Sequence, residues 1–276
     1  MIKFFKQFFI YGISSLLGKI AAVFLLPFYT NVLSQEEYGA MAMILAASGI
    51  IGLFSNLNIH SGVARDYYEE TINRTKLIST GFYSILFFSI IVFVVLFISR
   101  NFWITHVLNV AAHEKSFVIM LLTIPTSSLL SYFAILTRYK QKAILYSVGI
   151  FFQLLIQISL TIYCVLVLKT GIVGVFYGLL GGEIIAFVFF FSLNREYIKI
   201  TFKKDLLRRV LVYALPTLPA ILAGWLDSSL GQILIGKYVS VRDVGIYTVA
   251  LQISSVFLLF NIAFSNVWYP YLYENI

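Results

Sequence analysis

The chain has 276 residues, 60% of them hydrophobic and 12% charged, with a mean hydropathy of +0.92 and a formal net charge of +8. That balance excludes a soluble fold, because too few polar side chains exist to cover so apolar a chain, and lipid must solvate most of the surface. The basic residues concentrate in a few connections between apolar runs, so the charge speaks for membrane orientation rather than for nucleic-acid binding.

A hydrocarbon core of about 30 Å is crossed by about 20 apolar residues in a helix. On that scale the sequence predicts an all-α polytopic membrane protein with about eight transmembrane helices, at residues 8–32, 40–60, 79–99, 117–137, 143–168, 171–193, 210–236 and 246–270. The first run is too long for the apolar part of a cleavable signal and should stay in the mature protein. It carries Lys19 near its middle and Pro27 near its end. The fourth run contains Pro125 beside Thr123, Thr126, Ser127 and Ser128, the fifth contains the lone Cys164, and the sixth contains Glu183 beside Gly181 and Gly182. The seventh opens with Pro216 and Pro219 and carries Asp227. A proline inside a span removes a backbone donor, so these four positions are candidate hinges.

Fourteen Lys and Arg residues fall at the N-terminus and in alternate connections, including Arg65, Arg138 and the six between Arg195 and Arg209, whereas the opposite connections hold five. Basic loops resist translocation, which places both termini in the cytoplasm and the chain in the cell (inner) membrane. Asn73-Arg74-Thr75 matches a glycosylation acceptor but lies on the cytoplasmic side by this count, so it is read as chance. The stretch from Glu196 to Arg209 interleaves apolar and basic residues and is either an amphipathic segment on the inner leaflet or a solvated loop. Either way it divides the chain into residues 1–205, an N-terminal lobe of six helices, and residues 206–276, the first two helices of a second lobe.

An internal echo spans that division. Ser34, Glu37 and Gly39, between the first two helices, match Ser240, Asp243 and Gly245, between the seventh and eighth. Tyr11-Gly12 against Tyr213-Ala214, and Phe54-Ser55-Asn56 against Phe264-Ser265-Asn266, extend the match with gaps. An offset of six helices preserves orientation, so the two units are parallel repeats, a plan common in secondary transporters.

Several of these features together resemble the flippases of O-antigen, capsule and exopolysaccharide units, within the multidrug/oligosaccharidyl-lipid/polysaccharide exporter superfamily. They are Gly18-Lys19, the run Leu26-Pro27-Phe28-Tyr29-Thr30, the turn from Leu33-Ser34 to Glu37-Tyr38-Gly39, Arg65, the segment Pro216 to Pro219, and Val244-Gly245-Ile246-Tyr247. The resemblance covers the whole chain. It departs at Gly231-Gln232, where such proteins usually carry an Asp-Arg pair, and in length, since they run to about twelve or fourteen helices. A chain stopping at Ile276 therefore reads as two thirds of a protein: a fragment, a disrupted frame or a short form. The resemblance implies a V-shaped pair of six-helix lobes exposing a central cavity alternately to each side. The implied cargo is a polyprenyl-diphosphate-linked oligosaccharide, with membrane lipid, polysaccharide polymerase machinery or a second copy of the chain as further partners.

Ionisable groups inside the spans are costly unless paired or hydrated, which makes Lys19, Glu183 and Asp227 the positions to inspect. Lys19 either lines the cavity and meets the diphosphate or forms a structural ion pair with Glu183, which itself either couples transport to an ion or serves helix packing. Arg65 and Arg138 stand where a diphosphate would first meet protein, and either bind it or merely anchor the loops. Asn56, Asn58, Gln153, Gln157 and Gln232 offer hydrogen bonds to sugar or to neighbouring helices. A drug or cation antiporter of the same superfamily is the alternative, with Glu183 as its carboxylate, and a non-transporting relic is the third reading. No cofactor or metal is expected, and His60, His106 and His113 form no cluster of the kind an enzyme would need.

Overall fold

A computed structural model describes residues 18, 21 and 25–255. Among these every regular element is helical. Residues 25–32 end the first helix, α1. There follow α2 (Gln35–Asn56), α3 (Ile59–Asp66), α4 (Arg74–Ile98), α5 (Glu114–Tyr139), α6 (Ala143–Ile162), α7 (Ile172–Asn194), α8 (Lys204–Ala214), α9 (Leu218–Tyr238) and α10, residues 241–255. Six stretches of the described residues are long and apolar enough to cross a membrane. On α4 the outward face shows Phe87, Val95 and Ile98, the last 76% exposed. A face of that kind matches lipid and would be an aggregation hazard in water.

Two of the expected helices are broken. The run expected at 40–60 starts earlier, at Gln35, and ends at Asn56; Leu57 and Asn58 then adopt the left-handed conformation, with φ of 46° and 53°, before α3 begins. The run expected at 210–236 is split by a 3₁₀ turn at Leu215–Thr217. Pro216 lies in that turn and Pro219 occupies the first turn of α9, where its missing N–H breaks no bond. Pro125, by contrast, leaves α5 continuous. The hydroxyls of Thr123 and Thr126 donate to the carbonyls of Met120 (2.7 Å) and Thr123 (2.9 Å), so polar side chains serve the backbone beside the lost bond. Pro27 lies in α1, and Thr30 donates to its carbonyl at 3.2 Å.

Local capping explains several boundaries. Ser34 and Glu37 form a reciprocal capping box on α2: the Glu37 amide donates to Ser34 Oγ (3.2 Å) and the Ser34 amide to Glu37 Oε2 (2.9 Å). Asn73 caps α4 by accepting from the Lys76 amide at 3.0 Å, which accounts for the asparagine of the acceptor-like triplet. Lys140 closes the end of α7, donating to the carbonyl of Leu193 (3.1 Å), to Asn194 Oδ1 (3.3 Å) and to Glu196 Oε1 (2.8 Å), so a cation sits at a helix C-terminus, where it is favoured.

The core lies between α2, α5 and α7, with α4 against α5 and α6 against α7. One apolar cluster gathers Tyr38, Ile44, Phe117, Met120 and Phe176 toward one end of the bundle, and a second gathers Ile59, Leu77, Tyr132, Phe133 and Phe190 toward the other. Helices α6 and α7 pack closely. Gly178 lies against Thr161 and the carbonyl of Gln157, and Gly182 one turn on lies against Gln157 and the carbonyl of Gln153, so the two backbones touch along a small-residue stripe. A branched side chain there must push the helices apart. Gly182→Leu is predicted to cost about 1–3 kcal/mol of stability, read as a lowered unfolding midpoint of the solubilised protein, while Gly224→Ala, whose added methyl meets open space, leaves the midpoint unchanged or slightly higher.

Candidate functional site

The two helix breaks face each other. Asn56 Oδ1 accepts the Asn58 amide at 2.8 Å, a side-chain turn that supports the left-handed residues, and Asn58 Oδ1 accepts Ser61 Oγ at 2.7 Å. The remaining Asn58 group, Nδ2, crosses to α8–α9 and donates to Thr217 Oγ1 at 2.6 Å, while Thr217 donates to the Ala214 carbonyl at 2.6 Å. Leu57 caps α2 in this conformation, its amide donating to the Leu53 carbonyl at 3.0 Å, although a positive φ costs a non-glycine residue about 1–2 kcal/mol. Such strain persists only where the surroundings hold it, and it clusters at functional sites.

Beside the breaks lies a cavity of about 350 Å³ between α2, α3, α5 and α9. Its polar lining among the described residues comes from the hydroxyls of Ser48, Ser127, Ser128 and Ser131, the amides of Asn56 and Asn58, and the imidazole of His60, with no carboxylate and no Lys or Arg among them. Ser128 is engaged with buried Ser55 at 2.7 Å. Ser131 and His60 make no side-chain hydrogen bond among the described residues, so both present free hydrogen-bonding groups to the cavity. Trp225 fixes α9 on α2: its indole lies on Gly49 and its Nε1 donates to the Ala46 carbonyl at 2.9 Å.

Below His60, α3 ends in a charged cluster. Asp66, 3% exposed, accepts from Arg209 of α8 at 2.9 and 3.4 Å, with Arg65 Nε at 4.0 Å. Arg65 itself is about half exposed and its guanidinium lies 5.0 Å from the centre of the Tyr213 ring. At the far end of α2 the echoed turns meet. A methyl built on Gly39 would strike the carbonyl oxygen of Val241, and one built on Gly245 would strike that of Gln35. Since Gln35 and Val241 occupy matching places in the two turns, the contact is reciprocal, as a two-fold axis would make it. Ser240 and Asp243 repeat the Ser34–Glu37 cap, the Asp243 amide donating to Ser240 Oγ at 3.1 Å, and Arg242 donates to Gln35 Oε1 across the seam at 2.7 Å.

Of the positions singled out in the sequence, Lys19 lies outside the described residues, and with it the suggested pairing to Glu183. Glu183 is buried and accepts a hydrogen bond from Thr126 at 3.2 Å; it is not part of the cavity lining. Asp227 is exposed on α9, without an ion-pair partner among the described residues. Arg138 is exposed at the end of α5, over the Tyr146 ring at 5.5 Å, and does not line the cavity. Gln232 serves helix packing, donating to Thr248 at 3.1 Å. Charge-based reasoning passed over Ser131 and His60, although the dense run Ser55, Asn56, Asn58, His60, Ser61 inside an apolar region was visible.

Removing the Arg209 guanidinium leaves a buried carboxylate short of a partner. Because the arginine is 43% exposed and its attraction is screened by water, Arg209→Gln is predicted to cost about 1–3 kcal/mol. In a double-mutant cycle with Asp66→Asn the double variant should be more stable than the sum of single effects implies, measured by unfolding midpoints.

No curated protein matches the chain. Among solved structures, it is similar to an inward-facing multidrug resistance MATE family transporter of the MOP superfamily, with a TM-score of 0.68 at 17% identity over 88% of this chain and 58% of that one. An outward-facing structure of a multidrug resistance MATE family transporter matches at a TM-score of 0.49 and 16% identity, over 80% of this chain and 51% of that one. The chain thus spans less than two thirds of the transporters it matches, and the first likeness establishes a MATE-like fold. A family model described as polysaccharide biosynthesis protein matches residues 4–276, so the chain belongs to that family.

Proposed function

We propose that this chain is a flippase, or the larger part of one, that carries a polyprenyl-diphosphate-linked oligosaccharide from the cytoplasmic to the outer leaflet by alternating access. The observation that carries the reading is the dense set of hydroxyl, amide and imidazole groups in the described lining of the cavity. Sugar hydroxyls are recognised by hydroxyls, amides and imidazole, whereas a cation substrate calls for a carboxylate, and none stands among the described lining residues. Arg65 lies five residues, about 7.5 Å along the helix axis, from His60. It would meet the diphosphate at the mouth while the glycan fills the cavity, a planar guanidinium being suited to paired bonds with phosphate.

The basic connections set Arg65, Arg138 and the Arg195–Arg209 segment toward the cytoplasm. The Gly39–Gly245 seam then lies at the outer face, and the state described here is shut there. In this reading the two lobes divide at about residue 205, the seam is the contact between their equivalent turns, and Glu183 is held as a packing group by Thr126 rather than offered to cargo.

His60→Leu together with Ser131→Ala is predicted to lower transport of lipid-linked oligosaccharide in reconstituted vesicles at least tenfold, a loss of about 1.4 kcal/mol of binding, without shifting the unfolding midpoint; unchanged transport would remove the cavity from the account. Lys19→Ala is predicted to lower transport while leaving membrane insertion intact, and a normal rate would assign Lys19 to structure alone.

A further inference from the structure

Helix α8 has two unlike faces. Toward α3 it presents buried Val210 and Ala214, with Val210 against Gly62, and Arg209 holding Asp66. On the opposite side Lys204, Leu207, Arg208, Leu211 and Val212 join Leu215 and Pro216 around an open groove of about 540 Å³. The groove is graded along its length. Lys204 and Arg208 stand at its start, without an ion-pair partner among the described residues. The apolar side chains continue to Leu215, about 10 Å beyond Arg208 at 1.5 Å per residue. Val212 is 65% and Leu215 44% exposed, in a helix whose other face is already satisfied.

We infer that this groove is a binding site for an anionic phospholipid of the bilayer, with its phosphate on Lys204 and Arg208 and an acyl chain along Leu207, Leu211 and Val212. A groove with cations at one end and hydrocarbon along the rest complements an amphiphile with the same division, and fits neither a soluble anion nor a peptide. Lipid-linked cargo is the other amphiphile in reach. The groove shares no residue with the glycan cavity, and it opens on the side of α8 away from α3, the helix that leads to that cavity. A bound phospholipid would fix the angle of α8, and through Thr217 the helix break that Asn58 holds. The site stands whether or not the chain is a flippase.

The test is native mass spectrometry of the full chain released from nanodiscs containing equal phosphatidylglycerol and phosphatidylcholine of matched acyl chains. Each basic residue near an anionic headgroup contributes about fivefold, so with two of them retained phosphatidylglycerol should exceed phosphatidylcholine by roughly twenty-fivefold. Lys204→Gln with Arg208→Gln should bring the ratio near one at an unchanged unfolding midpoint, and Arg208→Gln alone should give an intermediate ratio if the double variant is unstable. Lys115→Gln, an exposed lysine outside the groove, should leave the preference intact. Three results would overturn the assignment: no preference in the unaltered chain, an equal loss in Lys115→Gln, or displacement of bound phosphatidylglycerol by polyprenyl phosphate at a tenth of its concentration, which would give the groove to cargo lipid instead.

Discussion

Where α2 and α10 begin, two helix N-termini come into backbone contact, and the rest of the architecture is arranged around that meeting. Helix N-termini carry partial positive charge and unsatisfied amides, so two of them in contact repel unless each is neutralised and capped from within. The recurring pattern supplies both needs. Ser34 with Glu37, and Ser240 with Asp243, close each terminus locally, and Gly39 and Gly245 remove the side chains that would hold the turns apart. The acid and the glycine of the echo thus answer to one contact. Glu36 and Arg242 hold matching places in the two turns but differ, and Arg242 uses the difference to reach Gln35.

With α2 anchored at that end, its other end is free to carry the polar break. Asn58 satisfies its own turn and still has a donor for Thr217, so the discontinuity in one helix is stabilised by the discontinuity in the other. Backbone freed from helical bonding inside a membrane is tolerated where it lines a cavity or is buried in protein. The cavity beside Asn56, Asn58 and His60 is such a place. Its described lining of hydroxyls, amides and imidazole and the charged cluster beneath it, Asp66 with Arg209 and Arg65 over Tyr213, set two kinds of chemistry side by side, and in the proposed reading the first meets the glycan and the second the diphosphate.

Much of this was legible in the sequence because lipid imposes simple rules. Apolar runs of spanning length, the basic connections and the Ser–acid–Gly echo gave the helices, their order and the two turns that meet. The break after α2 was not legible, because it places leucine and asparagine, rather than glycine, in the left-handed region, and only the Asn56–Asn58 spacing hints at a side-chain turn. The start of helix α8 is only half legible: the basic residues from Arg195 to Arg209 allow either an amphipathic segment or a solvated loop, and the helical spacing of Leu206, Val210 and Ala214 decides for the first from Lys204 on. Of the cavity, Asn56 and Asn58 are legible as groups for sugar, whereas Ser131 and His60 are not, for a different reason. Ionisable groups draw attention because burial penalises them, yet the described lining consists of hydroxyls, amides and an imidazole, and Ser127 and Ser128 adjoin Pro125 in sequence although they face the cavity.

If the Gly39–Gly245 seam is the outer closure of an alternating-access cycle, it must open for cargo to leave. Gln35→Cys and Arg242→Cys, in a Cys164→Ser background, place two thiols across it, where the native side chains are 2.7 Å apart. Bridging them with a reducible crosslinker should abolish translocation of lipid-linked oligosaccharide in vesicles, and reduction should restore it. Full translocation with the seam crosslinked would contradict the account, because cargo would then be crossing by a route that never parts these two turns.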